Sequence, residues 1–157
     1  MGLEEGMAIT PIITMTETPE AHMKRAIVAP LACFNEAQIG RPEDYRRLAI
    51  LASHPDTGEI LGGLWGETMF SHLHVDVLFV PEALRGMGVG RRMMGQAEDE
   101  AIRRGCCGAW LDTFSFQARG FYERLGYTVF GTIEGYPPGH SRLFLKKPLG
   151  MQIRGLR

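Results

Sequence analysis

The chain has 157 residues, 17 Lys and Arg against 18 Asp and Glu, and a formal net charge of −1, which reads as one domain over 1–157, large enough to bury a core. Near-neutrality excludes a general nucleic-acid or membrane-surface binder, which carries a basic excess, and no apolar run approaches the roughly 18 residues that span a bilayer. The acidic start, Met1 to Gly6, lacks a signal-peptide core and, with Gly6 where Ser or Thr is required, fails the myristoylation pattern. Cys33, Cys106 and Cys107 form no C-x-x-C pair, so a reduced, cytoplasmic setting is expected.

In chain order, residues 8–17 are rich in β-branched side chains and predict an edge strand, where Pro11 is tolerated. Thr18-Pro19 predicts a helix start, Thr18 as cap, running over 19–29 until Pro30 disturbs it. A second helical piece ends near Gly40. Tyr45–Ser53 and Glu59–Phe70 predict two strands joined by the turn His54-Pro-Asp-Thr-Gly58, and Ser71–Val80 a third. The next helix spans 88–104. Val89, Met93, Ala97 and Ala101 recur every four residues as its buried stripe. Asp99 with Arg103 and Glu100 with Arg104 form i,i+4 pairs on its wet side, and Gly105 stops it. Gly95 costs this helix about 1 kcal/mol against Ala, which a close approach to the sheet would explain. Residues 106–113 predict a buried strand parallel to 71–80, since a crossover helix separates them. The adjacent Cys106 and Cys107 are read as core packing. A short helix follows over 116–125, then strands 127–134 and 140–147 around Gly135-Tyr-Pro-Pro-Gly139, and a polar tail over 150–157.

The chain is organised around Leu78 to Arg92, a strand end, a turn, a glycine-rich loop and a helix start. Gly86, Gly88 and Gly90 alternate with Met87 and Val89, and glycine lets the backbone take φ > 0 and approach a ligand closely. Unpaired N–H groups and the positive end of the helix dipole suit a phosphate there, with Arg85 and Arg91 able to add charge-assisted bonds. A nucleotide-triphosphate loop fails, because Gly90 is followed by Arg91-Arg92 and not Lys-Ser/Thr. A dinucleotide fingerprint fails on its spacing, G-x-G-x-G from Gly86, with Met at position 93.

Arg85-Gly-Met-Gly88-Val-Gly90 does match R/Q-x-x-G-x-G/A, and resembles the coenzyme A pyrophosphate loop of the GNAT superfamily of acetyl-CoA-dependent N-acetyltransferases. Ser115 to Tyr127 resembles that family's N-x-x-A-x-x-F/L-Y-x-x-x-G-F/Y segment through Ala118, Phe121, Tyr122, Gly126 and Tyr127, with Ser115 in place of the family's Asn. The resemblance covers roughly 45–147. It implies an α/β fold with a mixed, largely antiparallel central sheet, a parallel splayed pair and flanking helices. It implies acetyl-CoA as co-substrate and no metal.

Acetyl transfer from a thioester to an amine must hold the acyl carrier, stabilise an oxyanion, deprotonate the amine and protonate the thiolate. The resemblance implies that backbone groups of Leu78, Phe79 and Val80 hold the pantetheine arm and the acetyl carbonyl. The amides of Gly86, Met87, Gly88, Val89, Gly90 and Arg91 take the pyrophosphate, and Ser115, Ala118 and Tyr122 touch the cofactor. Tyr122 matches the general acid, and a phenol with pKa near 10 is protonated at neutral pH. His74 stands where members with a glutamate base carry that residue, and histidine titrates near neutrality; Glu67 or water remain alternatives. His72, His74 and Asp76 lie two apart and share a face if the strand is regular. Their spacing suggests zinc only weakly, since no further His or Cys cluster accompanies them. His140 reads as a surface turn residue. The acceptor, a small-molecule or peptide amine, is expected between residues 30–40, the 67–76 strand and the 127–140 hairpin. A non-catalytic acyl-CoA sensor is the alternative, a nucleotide-binding protein a third, and a homodimer is left open.

Overall fold

A computed structural model describes residues 10–150. The chain falls into two units, one ending at Pro42 and one beginning at Glu43, taken separately below. In the first, residues 10–20 form neither helix nor strand, so the described part of the expected edge strand is not one. β-Branched composition favours a strand only where a neighbour offers packing and a ladder, and the first unit has no other strand among its described residues. Helix α1, Ala21–Ile39, runs unbroken through Pro30, where two pieces were expected. Proline there removes the bond to the Ala26 carbonyl, but Ala21, Ala26, Ala29, Ala32 and Ala37 favour the helix on both sides. Gly40 closes it with a φ of 72° and an N–H bonded to the Glu36 carbonyl at 2.8 Å. Thr18 is not the cap. Glu20 takes that position, and the Thr18 N–H turns back to Thr16 Oγ1 at 3.2 Å.

The second unit holds a six-stranded sheet in the order β1-β2-β3-β4-β6-β5. Its strands are β1 Arg46–Ser53, β2 Ile60–Met69, β3 His72–Phe79, β4 Gly108–Phe114, β5 Thr128–Glu134 and β6 Ser141–Pro148. Helix α2, Val89–Arg103, links β3 to β4, and α3, Arg119–Arg124, links β4 to β5. Every neighbouring pair is antiparallel except β3 with β4. This is the mixed sheet with one parallel pair that the sequence implies. Among the described residues no helix is long and apolar enough to cross a membrane.

Strand alternation turns Leu48, Leu64, Leu73, Val75, Ala109, Leu111, Leu143 and Leu145 to one face, where they are buried with Met93, Met94, Ala97 and Ala101 of α2 and with Tyr122 and Tyr127. The predicted helical stripe is therefore the buried one, widened by Gly90 and Met94, with Val89 only partly covered. The adjacent cysteines separate. Cys106 is in the core and Cys107 is exposed, its thiol 3.5 Å from the Ser71 carbonyl.

Two polar ties fasten α2 to the sheet. Tyr127, buried, donates to Glu98 Oε1 at 3.0 Å, and Lys147 Nζ lies 2.5 Å from Glu98 Oε2. Two residues on, Glu100 receives Arg103 at 2.7 Å and Arg104 at 2.6 Å. Arg103 therefore pairs with Glu100 and not, as expected, with Asp99. Arg104 is no wet-side residue either: its side chain is 11% exposed, and it donates to the Arg46 carbonyl at 3.1 Å, the Arg47 carbonyl at 3.3 Å and Thr68 Oγ1 at 3.2 Å. Its guanidinium saturates carbonyls at the start of β1 that helix propensity could not foretell.

A Cβ added at Gly95 meets nothing within 4 Å, so the close approach to the sheet is absent. Gly95→Ala is then expected to stabilise the fold by about 0.5–1 kcal/mol through helix propensity, measured as a shift in the urea midpoint at constant m-value. Hydrogen bonds from Arg103 and then Arg104 hold the Glu100 carboxyl down at about 2, against an ordinary 4.5. A depressed folded-state pKa contributes stability that is present above the unfolded value and is lost as pH falls through the folded one. The Tm of Glu100→Gln should accordingly fall less than that of the unsubstituted protein between pH 5 and about 2.

Candidate active site

Of the β3–β4 pair only His72 to Val75 is matched, to Gly108 through Leu111. Beyond that point β3 stays with β2 as far as Phe79↔Gly63, and β4 stays with β6 as far as Phe114↔Arg142. The two strands therefore part. Leu78, Phe79 and Val80 line one side of the gap and Asp112 to Phe114 the other, with the β3 backbone unclaimed by β4. The backbone groups of Leu78 to Val80 that turn toward β4, and not toward β2 or Arg85, can pair with an extended amide-bearing ligand as a strand would.

The departure begins with a bulge. The β2–β3 register steps from Trp65↔Val77 to Gly66↔Val75, which leaves Asp76 unopposed. The strand is not regular there, so His72 and His74 share a face but Asp76 does not continue the alternation. Gly66 permits it: a Cβ at that position would stand 2.4 Å from the His74 carbonyl oxygen. Gly62 does the same further along, with 2.6 Å to the Phe79 carbonyl oxygen.

Past Pro81 a single 3-10 turn, Glu82–Leu84, leads into the glycine loop. Gly86 and Gly88 have φ of 75° and 74°, a region other residues avoid. The first helical bond of α2 runs from the Arg92 N–H to the Gly88 carbonyl at 3.0 Å, and no side chain caps the helix. The N–H groups of Val89, Gly90 and Arg91 thus have no acceptor within the helix, and they converge at its positive end. Met87 is exposed. Arg85 Nε donates to the Val80 carbonyl at 3.1 Å, which ties the loop to the end of β3. Gly90 lies against α3, where its Cβ would sit 3.2 Å from Phe121 Cζ and 3.5 Å from Val80.

Tyr122 follows Phe121 on α3, only 8% exposed, its ring 6.2 Å from that of Tyr127. Burial first, and then the charge of Asp112, push its pKa above the ordinary 10, so the phenol stays protonated. Its hydroxyl has no protein partner among the described residues. The buried side-chain polar atom left without a partner there is His74 Nε2, so the phenol oxygen is reachable from solvent. Ala118 is the N-cap residue of α3. Ser115 is tied to the β5–β6 turn, its Oγ accepting the Ser141 N–H at 3.1 Å and lying 3.5 Å from His140 Nδ1. His140 is exposed in that turn, with its ring 4.9 Å from Phe116.

On the sheet face away from the core, Glu67, His74 and Trp110 stand in one row because Glu67↔His74 and His74↔Trp110 are register partners. His74 Nδ1 lies 2.8 Å from Glu67 Oε1, and its ring stacks on Trp110 with centroids 3.8 Å apart and planes 12° from parallel. The sequence points to His74 and to Glu67 but not to their contact or to the tryptophan, which follow from register alone. His72 takes no part in the row. Its Nδ1 lies 3.3 Å from the Phe70 carbonyl, and it lines a cavity of about 480 Å³ with Cys107, Trp110, Phe130 and Lys146 at the closed end of the β3–β4 pair. That cavity is at the opposite end of β4 from the gap. No described residues form a cluster of three or more His, Cys, Asp and Glu that could hold a metal ion.

The acetyltransferase (GNAT) family profile matches residues 16–127. An acetyltransferase of Agrobacterium fabrum is 38% identical over 133 residues, 85% of this chain and 96% of that protein. The blasticidin-S acetyltransferase of Streptomyces morookaense is 41% identical over 107 residues, 66% of this chain and 79% of its own length. Among solved structures, an acetyltransferase from Bacillus cereus superposes with a TM-score of 0.75 at 31% identity, over 87% of this chain and 98% of that one.

Gly66→Ala tests the bulge. The added methyl meets backbone that must move, which is expected to cost about 1–3 kcal/mol in denaturant unfolding. In a variant that remains folded, the His74 ring resonances should shift as its contact with Glu67 is displaced.

Proposed function

The chain belongs to the acetyltransferase (GNAT) family, and from that premise we propose that this acyltransferase moves acetyl from acetyl-CoA to a primary amine of a small molecule or peptide by direct attack. The observation that carries the reading is the join between the parted strands and the open amide nest at the head of α2. An extended acyl carrier that pairs with Leu78 to Val80 has its pyrophosphate at the amides of residues 86–91. Backbone N–H groups in the gap receive the developing oxyanion. The family's Asn is Ser115 here, whose hydroxyl already serves the β5–β6 turn, so its share in holding the cofactor is smaller than that of the loop.

Tyr122 gives its proton to the departing thiolate as the C–S bond breaks. Its raised pKa fits that role, since it keeps the group loaded at neutral pH. The amine loses its proton to the His74–Glu67 pair, directly or through water. In the tautomer with a proton on Nδ1, His74 donates to Glu67 and leaves Nε2 as a bare acceptor, a buried atom that the incoming amine or its water must uncover.

Acetyl-CoA binding is measured by titration calorimetry, and Gly88→Asp and the surface substitution Arg91→Glu should each weaken it at least about tenfold through charge opposed to the pyrophosphate. Unchanged affinity in both would overturn the loop assignment. Coenzyme release with a panel of amines reads the chemistry. Tyr122→Phe should lower kcat by about 10²–10⁴-fold with little change in acetyl-CoA affinity. His74→Ala should lower kcat/KM by about 10²-fold or more, and Glu67→Gln should lower it in the same direction. Full activity in all three variants would leave the proton transfers to water.

A further inference from the structure

Beyond the acid and the base, one charged pair at the open end of β4 exchanges no proton in the chemistry above. Asp112 is the first β4 residue past the last partner of β3, on the sheet face of Trp110. Arg142 of β6 reaches it, Nε to Oδ2 at 2.6 Å. The guanidinium is set among rings, 5.4 Å from the centroid of Phe114, 5.5 Å from Tyr136 and 5.9 Å from Phe144, with Nη1 donating to the Tyr136 hydroxyl at 3.3 Å. Phe116 extends the aromatic surface by stacking on Phe114 at 5.2 Å, and both Phe116 and Tyr136 are exposed, at 56% and 46%.

Such a pair is a costly way to staple two strands that already share a full ladder, because partly burying two charges takes away hydration that their attraction only partly returns. It is also unsaturated. A guanidinium carries five N–H donors, and Arg142 spends one on Asp112 and one on Tyr136, with no acceptor for Nη2 among the described residues. Asp112 likewise has Oδ1 free of any donor there. The pair so presents an unused donor and an unused acceptor side by side at the mouth of the gap, beside an exposed aromatic surface. A ligand that matches both charges is a zwitterion, and one that also covers the rings is planar.

We propose that Arg142 and Asp112 form the acceptor subsite, and that the acceptor is an amino-carboxylate bearing a planar ring, of which the aromatic amino acids are the simplest members. The carboxylate takes Arg142, the ring lies on Phe116 and Tyr136, and the ammonium is drawn toward Asp112, on the sheet face of His74 and Trp110. This rests on the acetyl-CoA reading above and adds to it the class of the amine. Asp112 and Arg142 are specificity residues and exchange no proton in the transfer.

The experiment compares phenylalanine and tryptophan with phenethylamine and tryptamine, which differ only by the carboxylate, with spermidine as an amine outside the class. The unsubstituted protein should favour the amino acids in kcat/KM by about 10- to 100-fold, the span of one charge-assisted hydrogen bond. Arg142→Met, which keeps the length of the side chain, should bring that ratio near one, whatever becomes of the overall rate. A ratio near one in the unsubstituted protein, or an Arg142→Met variant that keeps the preference, overturns the proposal. Should none of the amines turn over, titration of phenylalanine into the acetyl-CoA complex decides. Heat that Arg142→Met abolishes supports the subsite, and no heat refutes it. Absence of any heat with acetyl-CoA itself would instead refute the underlying transferase reading.

Discussion

The structure depends on an interrupted ladder. Strands β3 and β4 pair over four positions and then separate, while each keeps its other neighbour. Backbone N–H and C=O groups left without partners are costly when dry, so a sheet opens at its centre only where water or a ligand takes them. The opening is forced from the β2 side. Gly66 lets the His74 carbonyl come close, Asp76 is squeezed out of register, and the added twist of the bulge carries Leu78 to Val80 away from β4.

The same opening relates the two groups proposed for proton transfer. Tyr122 belongs to the core cluster with α2, whereas His74 lies on the far face, between Glu67 and Trp110. An intact sheet would separate them. With the strands parted, the proposed transfer has an acyl group in the gap open to an amine from one face and its thiolate turned toward the other.

Much of this was legible in the residues. The six strands of the second unit and its helices lie within a few residues of where turn signals and periodicity put them, because both signals are local. The glycine loop was legible for the same reason, since φ near 75° at Gly86 and Gly88 is a demand that a residue type meets alone. Three things were not. The unbroken α1 depends on alanines outweighing Pro30, a contest of magnitudes and not a pattern. The bulge at Asp76 is set by Gly66 on another strand. The Asp112–Arg142 pair joins residues 30 apart in sequence, and the register of β4 on β6 that creates it leaves no trace in either segment. Arg104 shows how a local rule half succeeds: the i,i+4 contact with Glu100 forms, yet the same guanidinium runs on to Arg46, Arg47 and Thr68.

Gly90 belongs to the amide nest and at the same time leaves room only for Phe121, the neighbour of Tyr122, where a Cβ would stand. The proposed anion cradle and the helix that carries Tyr122 thus meet at a residue with no side chain to compress. A side chain at position 90 would press on Phe121 and so on the seat of Tyr122. Position 90 is in that sense a gauge block: its thickness, and not its polarity, sets the spacing between the head of α2 and the helix that carries Tyr122.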